Sequence, residues 1–191
     1  MPTSQDSITA YSYPRAALIG NPSDGYSGKT IAFLFANFQA EVTLSPANRI
    51  EILPGKADNL SFDNLDHLNR HLNEMGYYGG VRIIKAGLKI FADYAEKQGL
   101  GLSKNGFSAS YKSNIPNRLG LSGSSAILTA LFRALMQWYA IKIPPEILAN
   151  LVLSAEKDEL GIGAGLQDRV AQAYEQPVYM NFDKRHFSEK G

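Results

Sequence analysis

Asn117 to Leu131 reads NRLGLSGSSAILTAL. Five small residues, Gly120, Ser122, Gly123, Ser124 and Ser125, run straight into an apolar segment in which Ile127, Leu131, Leu135 and Trp138 recur at helical spacing. A helix mouth built from glycine and serine has two readings. Serine at a helix start is a common cap, because its hydroxyl accepts from a first-turn N–H. The same residues also suit a phosphate cradle. Glycine allows positive φ and close backbone approach to a ligand, successive N–H groups can converge on one concavity, and the helix adds unpaired N–H groups and the positive end of its dipole. The stretch is neither a Walker A loop, since no Gly-Lys-Ser/Thr ending follows, nor a G-x-G-x-x-G turn. Taken alone it leaves both readings open.

The flanks supply the fold class. Upstream, Ala16 to Ile19 reads as a short strand that breaks into the loop GNPSDGYSG, residues 20–28. KTIAFLFANFQAEVTL, residues 29–44, is aromatic and β-branched, and its second part alternates: Phe38, Ala40, Val42 and Leu44 share a face. Ile50 to Leu53 is a short partner strand. Residues 65–76 carry helical spacing, and 79–100 do so more strongly through Val81, Ile84, Leu88, Phe91 and Ala95, with a stop at Gly99. FSASYKSNI, residues 107–115, alternates as a strand. After the glycine-serine stretch and its helix, Pro144-Pro145 opens another helix. GIGAG, residues 161–165, is a turn, Leu166 to Tyr174 a helix, and VYMNF, residues 178–182, a last strand. Helices and strands mix without regular βαβ alternation, so the expected class is α+β. Residues 1–12 read as a flexible leader.

Bulk properties narrow the function. With 191 residues, 19 basic against 18 acidic, the chain is one domain of ordinary size and charge, with no basic stripe for nucleic acid. It has no cysteine, which excludes disulfides, thiolate metal sites and cysteine nucleophiles and suits a cytoplasmic protein. No apolar run reaches the length of a membrane span; IAFLFA, residues 31–36, is the kind of short stretch present. His67 and His71 are four residues apart on one helix face, but no acidic residue follows His67 and no third ligand is evident, so they read as surface histidines.

Three stretches in order carry a family resemblance. IPNRLGLSGSSAI, residues 115–127, resembles the phosphate-binding motif of the GHMP kinases, P-x-x-x-G-L-G-S-S-A, with one extra residue between Gly120-Leu121 and Ser124-Ser125. PRAALIGNPSDGYSG, residues 14–28, resembles their N-terminal substrate motif, and AEKDELGIGAGLQDRVAQAY, residues 155–174, their segment with a magnesium-binding glutamate and a catalytic aspartate. The wording of GNPSD, GLSGSSA and GLQDRVAQ is similar to the glucuronokinase branch. The resemblance spans about residues 14–182, nearly the whole chain.

That resemblance implies a ribosomal protein S5 domain 2-like fold, a mixed, mostly antiparallel sheet with helices on one face. It implies ATP held by Pro116 and by Gly120, Leu121, Ser122, Gly123, Ser124 and Ser125. Mg2+ would sit on Glu156 with Ser125 or Ser124. Asp168 would be the catalytic base and Arg15 its partner, and Asn21, Asp24 and Tyr26 would contact the sugar. Each residue also has an ordinary use: Asp24 suits a turn, Asp168 the first turn of a helix, Glu156 a solvated helix end and Arg15 a surface position. Arg118, Lys29 and Arg169 are candidates for reading a uronic acid's carboxylate. Family members run well past 300 residues, so residues 13–191 correspond to an N-terminal ATP-binding domain whose C-terminal domain would act in cis or in trans. An apolar face left for that domain could instead support self-association. The expected function is an ATP-dependent sugar kinase acting on the anomeric hydroxyl of glucuronate or a related sugar. A non-catalytic nucleotide-binding or assembly module is the alternative.

Overall fold

Ile8–Ser12, expected as part of a flexible leader, is the first strand. Its Ala10 and Ser12 are buried while Thr9 and Tyr11 face out, and it pairs antiparallel along its length, from Ile8 opposite Leu44 to Ser12 opposite Ala40. A five-residue strand of Ile, Thr, Ala, Tyr and Ser has too little apolar contrast to announce itself; the pairing partner makes it a strand. The computed structural model describes residues 6–58, 61–75, 79–117, 119–183 and 185.

The strands are β1 (Ile8–Ser12), β2 (Arg15–Ile19), β3 (Lys29–Leu34), β4 (Ala40–Ala47), β5 (Glu51–Ile52), β6 (Gly106–Ser113) and β7 (Val178–Asn181). The helices are α1 (Leu65–Met75), α2 (Gly80–Lys97), α3 (Gly123–Trp138), α4 (Pro145–Ser154) and α5 (Leu166–Tyr174). They build two sheets. The larger has the order β1-β4-β6-β5, antiparallel except for β5 beside β6. The smaller is antiparallel, β2-β3-β7. The aromatic-rich run 29–44 is therefore not one strand but two, β3 and β4, split by a turn and assigned to different sheets.

Each sheet has its own apolar cluster. The large one gathers Val42 and Leu44 from β4, Phe107 from β6, Ile84 and Phe91 from α2, and Leu128, Leu131, Phe132 and Leu135 from α3. Residues from Ser125 to Phe132 on α3 are buried on every side, so the helix mouth is attached to the most buried helix of the molecule. The small cluster is Ala32, Ala171, Met180 and Phe182, where α5 covers one face of β2-β3-β7. A fully buried side chain of Leu or Phe size contributes ~1.5–3 kcal/mol of hydrophobic free energy, so most of the stabilisation lies in the large cluster. Trp138 is core, against Phe107 at 5.5 Å between ring centroids. His67 lies 3.1 Å from Asp63, and both histidine rings pack on Phe62, as surface residues do.

Two polar devices join the parts. Arg133 of α3 donates to the Tyr11 carbonyl at 2.9 Å and the Gln172 carbonyl at 2.5 Å, and pairs with Glu175. It thereby ties β1 of the large sheet to α5 of the small unit. At the other end, Asp58 accepts from the amides of Gly55 (2.7 Å) and Val81 (3.1 Å) and from the Tyr111 hydroxyl, which itself accepts from the Gly80 amide at 2.9 Å. Asp58 and Tyr111 together satisfy the first amides of α2, a cap built from distant chain segments. Among the described residues no helix is long and apolar enough to cross a membrane.

Candidate functional site

The glycine-serine stretch forms a tight turn into α3. Gly120 has φ 69° and Ser122 φ 62°, both left-handed. Gly120 takes that conformation without strain, whereas Ser122 holds it as a non-glycine residue, a cost that folds retain mainly at functional positions. The first α3 hydrogen bond into this turn runs from the Ala126 amide to the Ser122 carbonyl at 3.1 Å. The amides of the turn before it have no acceptor within the helix. The Ser122 side chain does not cap: its Oγ is buried without a hydrogen-bond partner among the described residues. Ser125 turns inward and donates to the Ser122 carbonyl at 3.1 Å. A turn that exists only to start a helix would use its serine on its own amides. Here the Ser122 hydroxyl is left without a partner among the described residues, as suits a group that awaits a ligand.

Glu156 reaches the same place from α4. That helix continues into a wide π-type turn, Ala155–Glu159. Such bulges often mark functional positions because they rotate side chains out of the regular helical register. Here Glu156 is wholly buried while the neighbouring Lys157, Asp158 and Glu159 face outward. Its Oε1 accepts from Ser124 Oγ at 2.5 Å. Its Oε2 accepts from Arg169 through Nε at 2.6 Å and through Nη2. The hydroxyl joined to Glu156 is thus that of Ser124; Ser125, the other residue expected beside a metal, bonds elsewhere.

Asp168 and Arg169 come from the first turn of α5. Arg169 is buried and also donates through Nη1 to Asp168 Oδ2 at 2.9 Å and to the Gly165 carbonyl at 2.9 Å. The second oxygen of Asp168 accepts from Arg15 Nη2, at the start of β2. Gln172, one turn further along α5, donates to the Tyr13 carbonyl at 3.0 Å and to the Ser122 carbonyl at 3.2 Å. It fastens α5 to both the glycine-serine turn and the chain entering β2. The outcome is a single chain of contacts, Ser124–Glu156–Arg169–Asp168–Arg15, on the seam between the two units.

The sequence expectations divide along this line. Arg15, Ser124, Glu156 and Asp168 are brought together, and Ser122 stands at the turn beside them. Asn21 is exposed and Tyr26 lies on the outside of a short helical turn, 83% exposed, with no hydrogen bond to the network. The backbone of Asp24 is in that same turn. Gly20 before it has φ 84°, and a Cβ there would overlap the Lys29 carbonyl, so the loop's departure from β2 requires glycine. Arg118 lies outside the described residues. Arg169, a candidate reader of a substrate carboxylate, has its guanidinium committed to Glu156, Asp168 and Gly165. The role of Gln172 carried no sequence signal, because it depends on carbonyls about 50 and 160 residues away in the chain.

The residues fit a magnesium-bound nucleotide. Glu156 Oε1 and Ser124 Oγ are hard oxygens side by side. Among the described residues there is no group of three or more His, Cys, Asp or Glu that would enclose a metal. One carboxylate and a hydroxyl beside this turn would suit Mg2+, since that ion keeps waters and shares substrate phosphates.

Comparison with known proteins gives the family likeness of the sequence and the fold. The family model "GHMP kinases N terminal domain" matches residues 82–176. Residues 82–176 thus match the N-terminal domain of the GHMP kinases. Glucuronokinase 1 of Arabidopsis thaliana is 46% identical over 183 residues, which are 94% of this chain and 50% of that protein. The chain thus spans about half the length of the curated relatives it matches. In fold it is similar to a D-glycero-D-manno-heptose 1-phosphate kinase from Bacteroides thetaiotaomicron (TM-score 0.70, 21% identity, 94% of this chain, 57% of that one). It is also similar to the mevalonate kinase of Methanococcus jannaschii (TM-score 0.69, 21% identity, 96% of this chain, 56% of that one).

Proposed function

We propose that the chain from β1 onward, residues 8–191, is the N-terminal, ATP-binding domain of a cytoplasmic sugar kinase that phosphorylates the anomeric hydroxyl of glucuronate or a close relative, and that a C-terminal domain, in cis or in trans, completes the site. The observation that carries this reading is the unbroken contact chain from Ser124 to Arg15, closing on the turn at Gly120–Ser125. The 46% identity to a glucuronokinase supports the sugar assignment.

Phosphoryl transfer asks little covalent work of a protein; it asks for position and charge. The amides of the Gly120–Ser125 turn, the Ser122 hydroxyl and the α3 dipole would hold the nucleotide's phosphates. Glu156 and Ser124 would hold Mg2+, whose charge neutralises the phosphate oxygens. Asp168 is the base. Each of its oxygens receives one guanidinium and still has a lone pair to accept a hydroxyl proton. As the sugar oxygen bonds to the γ-phosphorus and the bond to the β-phosphate oxygen breaks, the sugar's proton passes to Asp168 and ADP leaves. Arg15 fixes the aspartate and offsets negative charge developing beside it. Asn21, Asp24 and Tyr26 would meet the sugar from the open side. The second domain would cover the outer face of β2-β3-β7, where Ile19, Ile31 and Tyr179 stand in one cross-strand row and Ile19 and Tyr179 are more than 60% exposed.

The test is a coupled ADP-release assay on the chain together with the C-terminal half of a glucuronokinase, offering glucuronate, galactose, arabinose and mevalonate. Turnover with glucuronate that drops ~100-fold or more on Asp168→Asn is the expected result. ATP binding by calorimetry without transfer to any acceptor would favour the non-catalytic module instead.

A further inference from the structure

We infer that Arg169 is a positioning residue that acts as the resident counter-ion of Glu156 and Asp168, balancing the charge of Glu156 from Oε2 until a nucleotide delivers its metal to the Oε1 side. The inference rests on the proposed magnesium role of Glu156, but its physical core is independent of that role. A carboxylate with no solvent exposure must have a cation or lose its charge. Among the described residues the ion pair to Glu156 comes from Arg169, itself 5% exposed. Two donors of the guanidinium point at one oxygen of Glu156, a third at Asp168 and a further bond at the Gly165 carbonyl. Four of the five N–H groups of an arginine are thereby used, which removes Arg169 from the residues able to read a substrate.

The arrangement is balanced. Arg15 and Arg169 oppose Asp168 and Glu156, so an incoming polyanion meets a neutral network at the positive end of α3. Arg169 is also the joint that fixes one carboxylate relative to the other: its rigid planar fork spans both, which a lysine's single ammonium would not do. A free divalent cation must compete with this guanidinium for Glu156. A cation that arrives on a triphosphate brings its own anion, and the turn binds that anion. The protein should therefore ignore free metal and take it only as the nucleotide complex.

The experiment uses the 191-residue chain without nucleotide. Thermal melts and Mn2+ binding by electron paramagnetic resonance are measured for the parent, for Arg169→Gln, for Arg169→Lys and for the double variant Glu156→Gln with Arg169→Gln. Free Mn2+ should leave the parent's melting temperature unchanged. It should bind Arg169→Gln at least about tenfold more tightly than the parent and raise its melting temperature, because the ion replaces the lost counter-charge. Arg169→Lys should keep the parent's indifference to metal. The double variant, with no charge left to balance, should melt above Arg169→Gln and ignore Mn2+. If Arg169→Gln does not fold, a folded double variant supports the same conclusion. Equal Mn2+ binding by the parent and Arg169→Gln would overturn it, as would a double variant no more stable than the single one. A separate titration of the parent with Mg2+ and ATP tests the nucleotide site, so loss of that reading would show as absent binding with the metal-only results untouched.

Discussion

The two apolar clusters differ in more than size. The large one is made of long side chains from α2, α3, β4 and β6 locked against each other, with Phe91 and Phe132 at 6.0 Å and Phe107 against Trp138. The small one, between β2-β3-β7 and α5, has two alanines, Met180 and Phe182 at its centre. Yet the small unit supplies Arg15, Asp168 and Arg169, and the large unit supplies Ser122, Ser124 and Glu156. The large cluster surrounds the helix mouth, while the small unit joins it through packing of α5 on α3 and α4 and through the polar bonds of Arg133, Gln172 and the ion network. The groups proposed to meet a substrate sit on the seam, where charge can be kept without disrupting either core.

That contrast can be broken by substitution. Phe132→Ala empties a site of zero exposure in the large cluster and should cost about 3–5 kcal/mol in chemical denaturation. Met180→Ala in the small cluster should cost about 2 kcal/mol, the low end for such a truncation, because few large side chains surround it. Equal losses at the two positions would mean that the units are not energetically distinct. Tyr111→Phe leaves the Gly80 amide unpaired and removes a donor from Asp58, and should cost about 1–2 kcal/mol at neutral pH. Burial, and then the hydrogen bond to Asp58, raise the Tyr111 pKa above its ordinary value. The folded protein therefore holds the neutral phenol, and that contribution is complete below about pH 10 and lost as pH rises beyond it. The deficit of Tyr111→Phe should accordingly shrink in alkaline denaturation series. Ser124→Ala should cost only about 1 kcal/mol, since Glu156 keeps Arg169. It should nevertheless weaken Mg2+-dependent ATP binding in calorimetry, separating the seam's function from its small share of stability.

Legibility in the sequence followed the range of the interaction. α2, α3 and α5 were readable because their patterns are local: apolar residues at helical spacing, a glycine stop, small residues at the mouth. The π-type turn that buries Glu156 was not, because AEKDE reads as an exposed helix end, and only packing against α3 and α5 turns one of its carboxylates inward. Arg169 was visible as a basic residue beside Asp168, one of three candidates to read a substrate carboxylate, but its bonds to Glu156 and Asp168 were not. In sequence it is one charge among several, and in space it is enclosed by two carboxylates. The cap of α2 by Asp58 and Tyr111 joins positions 53 residues apart and leaves no trace in either neighbourhood.

Read by itself, the amino-acid order determined the α+β class and the small-residue mouth of α3, because backbone propensity and turn chemistry act over a few residues, and its family resemblance offered Arg15, Ser124, Glu156 and Asp168 as candidates. Tertiary structure decided which serine meets Glu156, that residues 8–12 are a strand, that β3 and β4 part into separate sheets, and that Arg169 is bonded to both carboxylates. Those outcomes depend on burial and on charges meeting across long stretches of chain, and a buried charge takes its meaning from whatever the fold places within a few ångströms of it.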